Sequence, residues 1–253
     1  MMHRSNSTLF CVTLFLVVLG AVTLSGWCVD ALDHSIYADL LQKYVKNGVV
    51  DYQGFKNEEA KLDQYLKVQE QVDTAKLPQT EQLAFYINAY NAWTIKLILG
   101  SYPGIKSIKD LGSAFSTPWK KPICRLDGQI ISLDDLEHKI IRARFHDPRV
   151  HFAINCASKS CPPLIGEPYL GNKLDEQLDA SARAFINNPG NNRLEGNVLH
   201  ASRIFEWYRS DFVGGTDAFF LKYAEGDLKK RLEAGNDHVR VEYLDYDWSL
   251  NGR

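Results

Sequence analysis

One helix constrains the fold of this chain more than any other part of its sequence. Residues 83–99 include the run Phe85-Tyr-Ile-Asn-Ala-Tyr-Asn-Ala-Trp93 and are apolar on nearly every side. A helix that is apolar all round has no face suited to water, so other parts of the protein must surround it. Thr80 can cap its start, and Gly100 and Pro103 end it. The sequence therefore predicts a long buried helix at the centre of the fold.

Two amide side chains interrupt the apolar surface of this helix. Asn88 and Asn91 are three residues apart and so lie on one face. Their amides can satisfy buried backbone groups, or one of them can orient or polarise a group in a functional site. Both interpretations stay open, and both asparagines are candidate catalytic residues.

The segments around the central helix mix helices with short strands. Apolar residues have helical spacing at residues 34–46 and 58–71, and strands alternate with helices after the central helix. Asp127-Gly128 and Gly196-Asn197 are typical hairpin turns. With 45% hydrophobic residues, the chain can bury one sizeable core. We expect one α+β domain at residues 32–253, with a helical N-terminal half around the central helix and a small, largely antiparallel sheet.

Residues 1–31 are set apart from this fold. A polar start that carries Arg4 precedes an apolar run at residues 9–24, and Val29 and Ala31 lie three residues and one residue before a cleavage point. This pattern predicts a signal peptide cleaved after Ala31, with an uncleaved membrane anchor as the alternative. We expect an exported protein, periplasmic or extracellular, that is membrane-anchored if the segment stays attached.

A loop with two cysteines is the predicted functional site. Residues 150–154 are apolar and partly β-branched, which predicts a strand, and Pro162-Pro163 ends the small-residue loop that follows. Cys156 and Cys161 flank this loop. A thiol just past a strand end can be stabilised as a thiolate by free backbone amides of the loop.

The first interpretation of the loop is a thiol-dependent hydrolase or acyl transferase with Cys156 as nucleophile. Such a thiol needs a base, and His138 on a separate predicted helix can approach it freely. Glu137 is a secondary candidate, although it points about 100° away from His138 on a helix. His151 is also secondary, because five residues of extended strand would put it ~16 Å from Cys156. We expect Cys156 and His138 to meet in a cleft beside the central helix, near one of its asparagines.

Two other interpretations stay open, and with them whether the protein is an enzyme. A Cys156–Cys161 disulfide can staple the loop of a non-catalytic binding or scaffold module. Alternatively, the two cysteines cycle between thiol and disulfide, although their spacing is wider than the usual two-residue redox motif. The sequence contains no complete set of metal ligands and no glycine-rich phosphate loop, so we expect no metal and no cofactor.

The charge balance narrows the class of partner. The formal net charge is −2, and no lysine- or arginine-rich run appears. This argues against a nucleic-acid binder, because such proteins concentrate positive charge. The expected partner is a small-molecule or peptide ligand, and the membrane only if residues 1–31 stay attached. The aromatic clusters at residues 205–208 and 243–248 are expected to pack in the core rather than to form a ligand platform.

Five motifs, in one order, resemble a known family. They are Phe85-Tyr-Ile-Asn-Ala-Tyr-Asn-Ala92, Ser132-Leu-Asp-Asp-Leu-Glu-His138, residues 147–163, Ile204-Phe-Glu-Trp-Tyr208 with Asp211-Phe212, and Tyr246-Asp-Trp-Ser-Leu-Asn251. Through most of residues 32–253 the chain is similar to the family catalogued as domain of unknown function 547. The resemblance implies the domain boundaries and, for bacterial members, an exported location. The family has no settled activity, so the resemblance implies no reaction.

Overall fold

The computed structural model describes residues 32–113, 115–234 and 239–252. The predicted signal peptide or anchor at residues 1–31 lies outside the described residues. Among the helices that are described, none combines the length and the apolar character needed to cross a membrane.

Helices form most of the described structure. The α-helices are α1 Ser35–Tyr44, α2 Tyr52–Asn57, α3 Glu59–Glu70, α4 Gln79–Leu99, α5 Leu133–Asp135, α6 Ala143–Phe145, α7 Leu174–Ile186, α8 Ile204–Trp207, α9 Gly215–Tyr223 and α10 Gly226–Ala234. A π-helix, Leu136–Arg142, joins α5 to α6. Short 3₁₀ helices lie at Thr74–Lys76, Ile108–Leu111, Pro118–Lys120, Pro148–Phe152, Gly171–Lys173 and Arg209–Asp211.

The described strands form three small sheets rather than one. They are β1 Val45–Lys46, β2 Val49–Val50, β3 Pro122–Leu126, β4 Gln129–Ser132, β5 Arg193–Glu195, β6 Val198–Ala201 and β7 Arg240–Tyr243. The pairs β1–β2, β3–β4 and β5–β6 are antiparallel, and β7 pairs in parallel with β6. Both predicted hairpin turns are present, with Asp127, Gly128 and Gly196 at positive φ. The predicted α+β class with a largely antiparallel sheet content is confirmed.

Helix α4 is the central helix that the sequence predicts. Of its 21 residues, 16 are buried, including Phe85, Ile87 and Trp93. It packs against α2, α3, β3 and the π-helix. Because polar groups are so few on its surface, the neighbouring elements must cover every side of it.

Hydrophobic side chains gather into two clusters. The larger cluster surrounds α4, and the smaller one, near α7 and α9, is rich in phenylalanine. The 3₁₀ helix Pro148–Phe152 joins them, because Val150 belongs to the larger cluster and Phe152 to the smaller. This helix therefore lies where the two clusters meet.

The predicted strand at residues 150–154 is wrong, because a 3₁₀ helix occupies Pro148–Phe152. The carboxylate of Asp147 accepts a hydrogen bond from the Arg149 backbone N–H at 2.9 Å, and Pro148 holds the first helical position. This capping outweighs the β-propensity of the apolar run. A 3₁₀ helix rises about 2 Å per residue rather than 3.3 Å, so the distance argument against His151 no longer applies.

Candidate active site

A cavity of about 240 Å³ lies where the two hydrophobic clusters meet. Five of the candidates from the sequence line it: Cys156, Cys161, Glu137, His138 and His151. They come from three separate segments, which the fold brings together around one space. No hydrogen bond joins the Cys156 thiol to either histidine.

The Cys156 sulfur is surrounded by hydrogen-bond donors. Its Sγ lies 3.1 Å from the Ser158 hydroxyl and 3.4 Å from the Tyr246 hydroxyl. Hydrogen bonding with the Cys161 thiol, followed by Ser158 and Tyr246, outweighs the effect of burial and lowers the pKa of the Cys156 thiol to about 7. Of the two cysteines, Cys156 is therefore the one whose surroundings favour the thiolate.

Cys161 is the uncharged partner of this pair. Burial, together with the neighbouring Cys156 sulfur, raises the pKa of the Cys161 thiol, and this neutral thiol donates to the Ile154 carbonyl oxygen at 3.9 Å. The backbone N–H of Cys156 donates to the Cys161 sulfur at 2.9 Å. The predicted Cys156–Cys161 disulfide is not formed, because both residues, like Cys124, are free thiols.

Four backbone amides of the loop are already occupied, whereas that of Ser158 is directed to the Cys156 sulfur, as we expected of a loop amide. The donors and acceptors are Ala157 N to Asn155 Oδ1, Lys159 N to Ser249 O, Ser160 N to Asp247 O, and Cys161 N to Ser158 O. The acceptors lie in the loop itself and in residues 247–249 of the C-terminal segment, so these N–H groups are not available to a ligand. The donors close to the sulfur are therefore the Ser158 N–H and the Tyr246 hydroxyl, and both are available to a developing oxyanion.

The residue after the thiol has a strained backbone. Ala157 has a φ of 64°, in the left-handed region that alanine rarely adopts. Asn155 holds this turn, since its Oδ1 also accepts from Asn251 Nδ2 at 3.0 Å and its Nδ2 donates to Pro162 O at 2.7 Å. Strain that is fixed by surrounding hydrogen bonds is common where a functional geometry must be maintained. Asn155 is not among the predicted site residues, although its position next to Cys156 in the sequence was a signal that could have identified it.

The two asparagines of α4 bind backbone rather than line the cavity. Asn88 donates to Tyr169 O at 2.7 Å and accepts from Tyr169 N at 2.9 Å. Asn91 donates to Ala153 O at 2.9 Å and accepts from Asn155 N at 2.8 Å. Both amides thus satisfy buried backbone groups, the first of the two interpretations. Asn91 still supports the site, because it fixes the backbone just before the thiol.

Glu137 and His138 lie on the π-helix, an uncommon element that occurs frequently at functional sites. Glu137 is only 6% exposed, and its Oε1 has no hydrogen-bond partner among the described residues. Burial and the Glu137 charge raise the pKa of the neighbouring Tyr208. An unpartnered buried carboxylate oxygen is costly, so its position in the cavity wall calls for a functional explanation.

Asp211 connects the two histidines of the cavity wall. Its carboxylate accepts from His151 Nε2 at 2.7 Å and from Arg142 Nε and Nη2 at 2.6 and 2.8 Å. Hydrogen bonds from His151 and Arg142 hold the pKa of Asp211 well below its usual range, so it is ionised. Arg142 Nη1 lies 2.8 Å from His138 Nδ1. Because a guanidinium only donates, the lone pair of that nitrogen is occupied and the ring proton of His138 is on Nε2.

His151 has the surroundings of an oriented base. It is buried, its Nε2 hydrogen is directed to Asp211, and its ring stacks on Tyr208 at 4.0 Å between centroids. An aspartate that fixes the tautomer and orientation of an imidazole leaves the other ring nitrogen able to accept a proton. Asp211 and Arg142 are not among the predicted site residues, because they are 69 positions apart and form no local pattern in the sequence.

The aromatic clusters pack against the core in part, as predicted, since Tyr208 and Tyr246 contact the smaller hydrophobic cluster, but four of their rings also line the cavity. Trp207, Tyr208, Tyr246 and Trp248 line the cavity, together with Trp119. The Trp207 and Trp248 rings stack at 5.7 Å, and the Tyr246 ring lies 4.5 Å from that of Trp248. The long side chains at the end of α8 and in the C-terminal segment therefore build a wall of the cavity.

The fold and this cavity define an α+β protein with an activated thiol. Residues 74–186 match the family model described as "Protein of unknown function, DUF547", which confirms the resemblance to that family. The matched part includes α4, the π-helix and the cysteine loop. Comparison with curated proteins finds no match, and comparison with solved structures finds none either. The function of this protein must therefore be inferred from the geometry of its site.

Proposed function

We propose that this protein is a thiol-dependent hydrolase or acyl transferase with Cys156 as its nucleophile. The observation that carries the proposal is the placement of the Cys156 sulfur, between two hydroxyl groups and a neutral thiol, in a cavity that also contains His151. Activated thiols are recognised by such stabilisation together with an oriented base. A sulfur buried only for packing would not need these partners.

In the proposed reaction, His151 takes the proton of the Cys156 thiol and the sulfur attacks a carbonyl carbon of the substrate. The electron pair of the carbonyl moves to its oxygen, which accepts hydrogen bonds from the Tyr246 hydroxyl and the Ser158 N–H, while the Ser158 hydroxyl donates to the Tyr246 oxygen. Collapse of this intermediate breaks the bond to the leaving group, to which His151 returns the proton. Water or another nucleophile then attacks the thioester and loses a proton to His151. The Cys156 sulfur leaves as a thiolate and takes that proton back, which restores the starting state.

We assign proton transfer to His151 rather than to His138, the base that the sequence favoured. The hydrogen bond from Arg142 occupies the lone pair of His138, whose Nε2–H group is left as a donor. Asp211, by contrast, occupies only the N–H side of His151. His138 is then suited to donate a hydrogen bond to the substrate.

Thiol–disulfide exchange is the second candidate, and the contact between Cys156 and Cys161 favours it. In this reaction the Cys156 thiolate would attack a disulfide substrate, release one substrate thiolate and form a mixed disulfide with the other half. The Cys161 sulfur would then attack Cys156, release the second substrate thiolate and leave a Cys156–Cys161 disulfide. The raised pKa of the Cys161 thiol makes it a slow attacking group at neutral pH, so this candidate ranks below acyl transfer.

A covalent acyl-enzyme tests the proposal. Incubation with p-nitrophenyl acetate should release a burst of p-nitrophenol about equal to the protein concentration, with the acetyl group on Cys156. Intact mass and peptide mapping identify the site. Cys156→Ser should lose the burst, whereas Cys124→Ala, at a buried thiol outside the cavity, should retain it. An equal burst from Cys156→Ser would contradict the proposal.

We also propose that the protein works outside the cytoplasm. This rests on the apolar run at residues 9–24 and on Val29 and Ala31 before the expected cleavage point. Such locations are oxidising, so the acylation assay should contain a reductant to keep Cys156 and Cys161 as thiols.

A further inference from the structure

We propose that the substrate of this cavity carries a positively charged amine that binds between Glu137 and the aromatic wall. The inference rests on the proposed function, since it names the substrate class of the same cavity. Three features of the cavity support it: its charge, an unpartnered carboxylate oxygen that contributes to that charge, and its indole rings.

The charge of the lining is negative. Asp134, Glu137 and the Cys156 thiolate line the cavity, and no lysine or arginine of the described part of the chain does so. A wall of one sign attracts ligands of the opposite sign and repels anions. Phosphates and carboxylates are therefore poor ligands for this space, and an ammonium group is a good one.

Glu137 supplies a specific binding group for the amine. Only 6% of Glu137 is exposed to solvent, and its Oε1 has no hydrogen-bond partner among the residues that the structure describes. The nearby guanidinium of Arg142 is bound to Asp211 and His138 instead. An ammonium has three N–H donors and could satisfy this oxygen and compensate its charge at once.

The aromatic wall suits the same cation. Trp119 meets Trp248 edge to face at 5.6 Å, and Trp207 stacks on Trp248. Indole faces attract cations more strongly than other aromatic side chains do. Lys109 Nζ already lies 3.9 Å from the Trp248 ring centroid, so the ligand cation would use the Trp119 or Trp207 ring of the wall. Recognition of an ammonium group would use the same chemistry.

The size of the cavity limits what enters it. Its volume of about 240 Å³ is below the roughly 300–1,000 Å³ that is typical of drug-sized ligand sites. It accommodates a short alkylammonium group rather than a whole oligomer. We therefore infer an acyl donor or acceptor whose reacting end carries a small alkyl amine.

Protection of Cys156 from alkylation tests this inference. The rate of iodoacetamide labelling at Cys156 is measured by mass spectrometry at pH 7 and constant ionic strength. Three ligands of similar size are compared: n-butylammonium chloride, sodium butyrate and n-butanol. At ten times its dissociation constant, butylammonium should slow labelling about ten-fold by competition. Butyrate and butanol should leave the rate nearly unchanged.

Two variants connect the protection to Glu137. In Glu137→Gln, butylammonium should protect no better than butanol, each compared with the ligand-free rate of that variant. Asp245→Asn changes a fully exposed carboxylate away from the cavity and should keep the wild-type protection. If Glu137→Gln does not fold, Trp207→Leu replaces a half-exposed ring of the wall and should weaken the protection.

Failure of the inference differs from failure of the proposed function. If Cys156 forms the acyl adduct but butyrate protects as well as butylammonium, the amine is the wrong substrate class and the nucleophile stands. Retained protection in Glu137→Gln would also overturn the inference. If no acyl adduct forms at Cys156, the proposed function itself fails.

Discussion

Asn91→Ala is expected to lower the free energy of unfolding by about 3 kcal/mol. The side chain is 2% exposed and makes two hydrogen bonds to backbone groups, Ala153 O and Asn155 N. Alanine leaves both groups buried without a partner, and each such loss costs about 1–3 kcal/mol. Equilibrium unfolding in urea, followed by tryptophan fluorescence, measures the change.

Asn88→Ala is the matched control for this variant. Asn88 lies one turn earlier on α4 and makes the same pair of hydrogen bonds, but to Tyr169. We expect a similar loss of stability from both variants. Only Asn91→Ala should also slow alkylation of Cys156, because Asn91 fixes the backbone of the residue before it. A decrease in unfolding free energy below about 1 kcal/mol is typical of one exposed hydrogen bond. It would contradict the view that Asn91 satisfies two buried backbone groups.

Asp211→Ala should have the second large effect on stability, about 3 kcal/mol at pH 7. The substitution removes three charge-assisted hydrogen bonds, from His151 and Arg142, and leaves both donors largely shielded from water. Breaking one side of a buried ion pair costs about 3–5 kcal/mol, and the 23% exposure of Asp211 places it at the lower end.

The effect of Asp211 should depend on pH in a definite direction. The folded protein holds the pKa of this carboxyl below the value of about 3.9 that it has in an unfolded chain. Its stabilisation is therefore complete above that pH and is lost as the pH falls towards the folded value. The difference in unfolding free energy between wild type and Asp211→Ala should therefore be smaller at pH 3 than at pH 5. Asp245→Ala, at an exposed carboxylate, should show no such dependence. A difference that does not change with pH would show that the Asp211 charge is not involved.

The central helix and the hairpins could be predicted because their signals are local. The all-round apolar surface of α4 requires burial, and Asp127-Gly128 favours a turn whatever surrounds it. The prediction of a strand at residues 150–154 is wrong for a reason that is also local. The Asp147 cap and Pro148 start a helical turn, and this geometry prevailed over the β-branched residues that follow.

The site was only partly predictable, because its groups come together through tertiary structure. Cysteines, histidines and glutamates that are capable of acid–base or nucleophilic chemistry can be recognised one by one in a sequence. Four of the candidates found in this way line one cavity: Cys156, His138, His151 and Glu137. The hydrogen bond between His151 and Asp211 joins residues 60 positions apart, and no pattern in the sequence encodes it. Similarly, Tyr246 lies 90 positions after Cys156 but reaches its sulfur.

The most direct test of the activated thiol is the pH dependence of Cys156 alkylation by iodoacetamide. We predict a labelling rate that reaches half of its maximum near pH 7, because hydrogen bonds with Cys161, Ser158 and Tyr246 stabilise the thiolate. Cys161→Ala and Tyr246→Phe should move this midpoint to higher pH. Cys124, whose pKa is raised by burial, should react only after unfolding and serves as the internal reference. A Cys156 midpoint at or above that of the same thiol in the urea-unfolded chain would contradict the account.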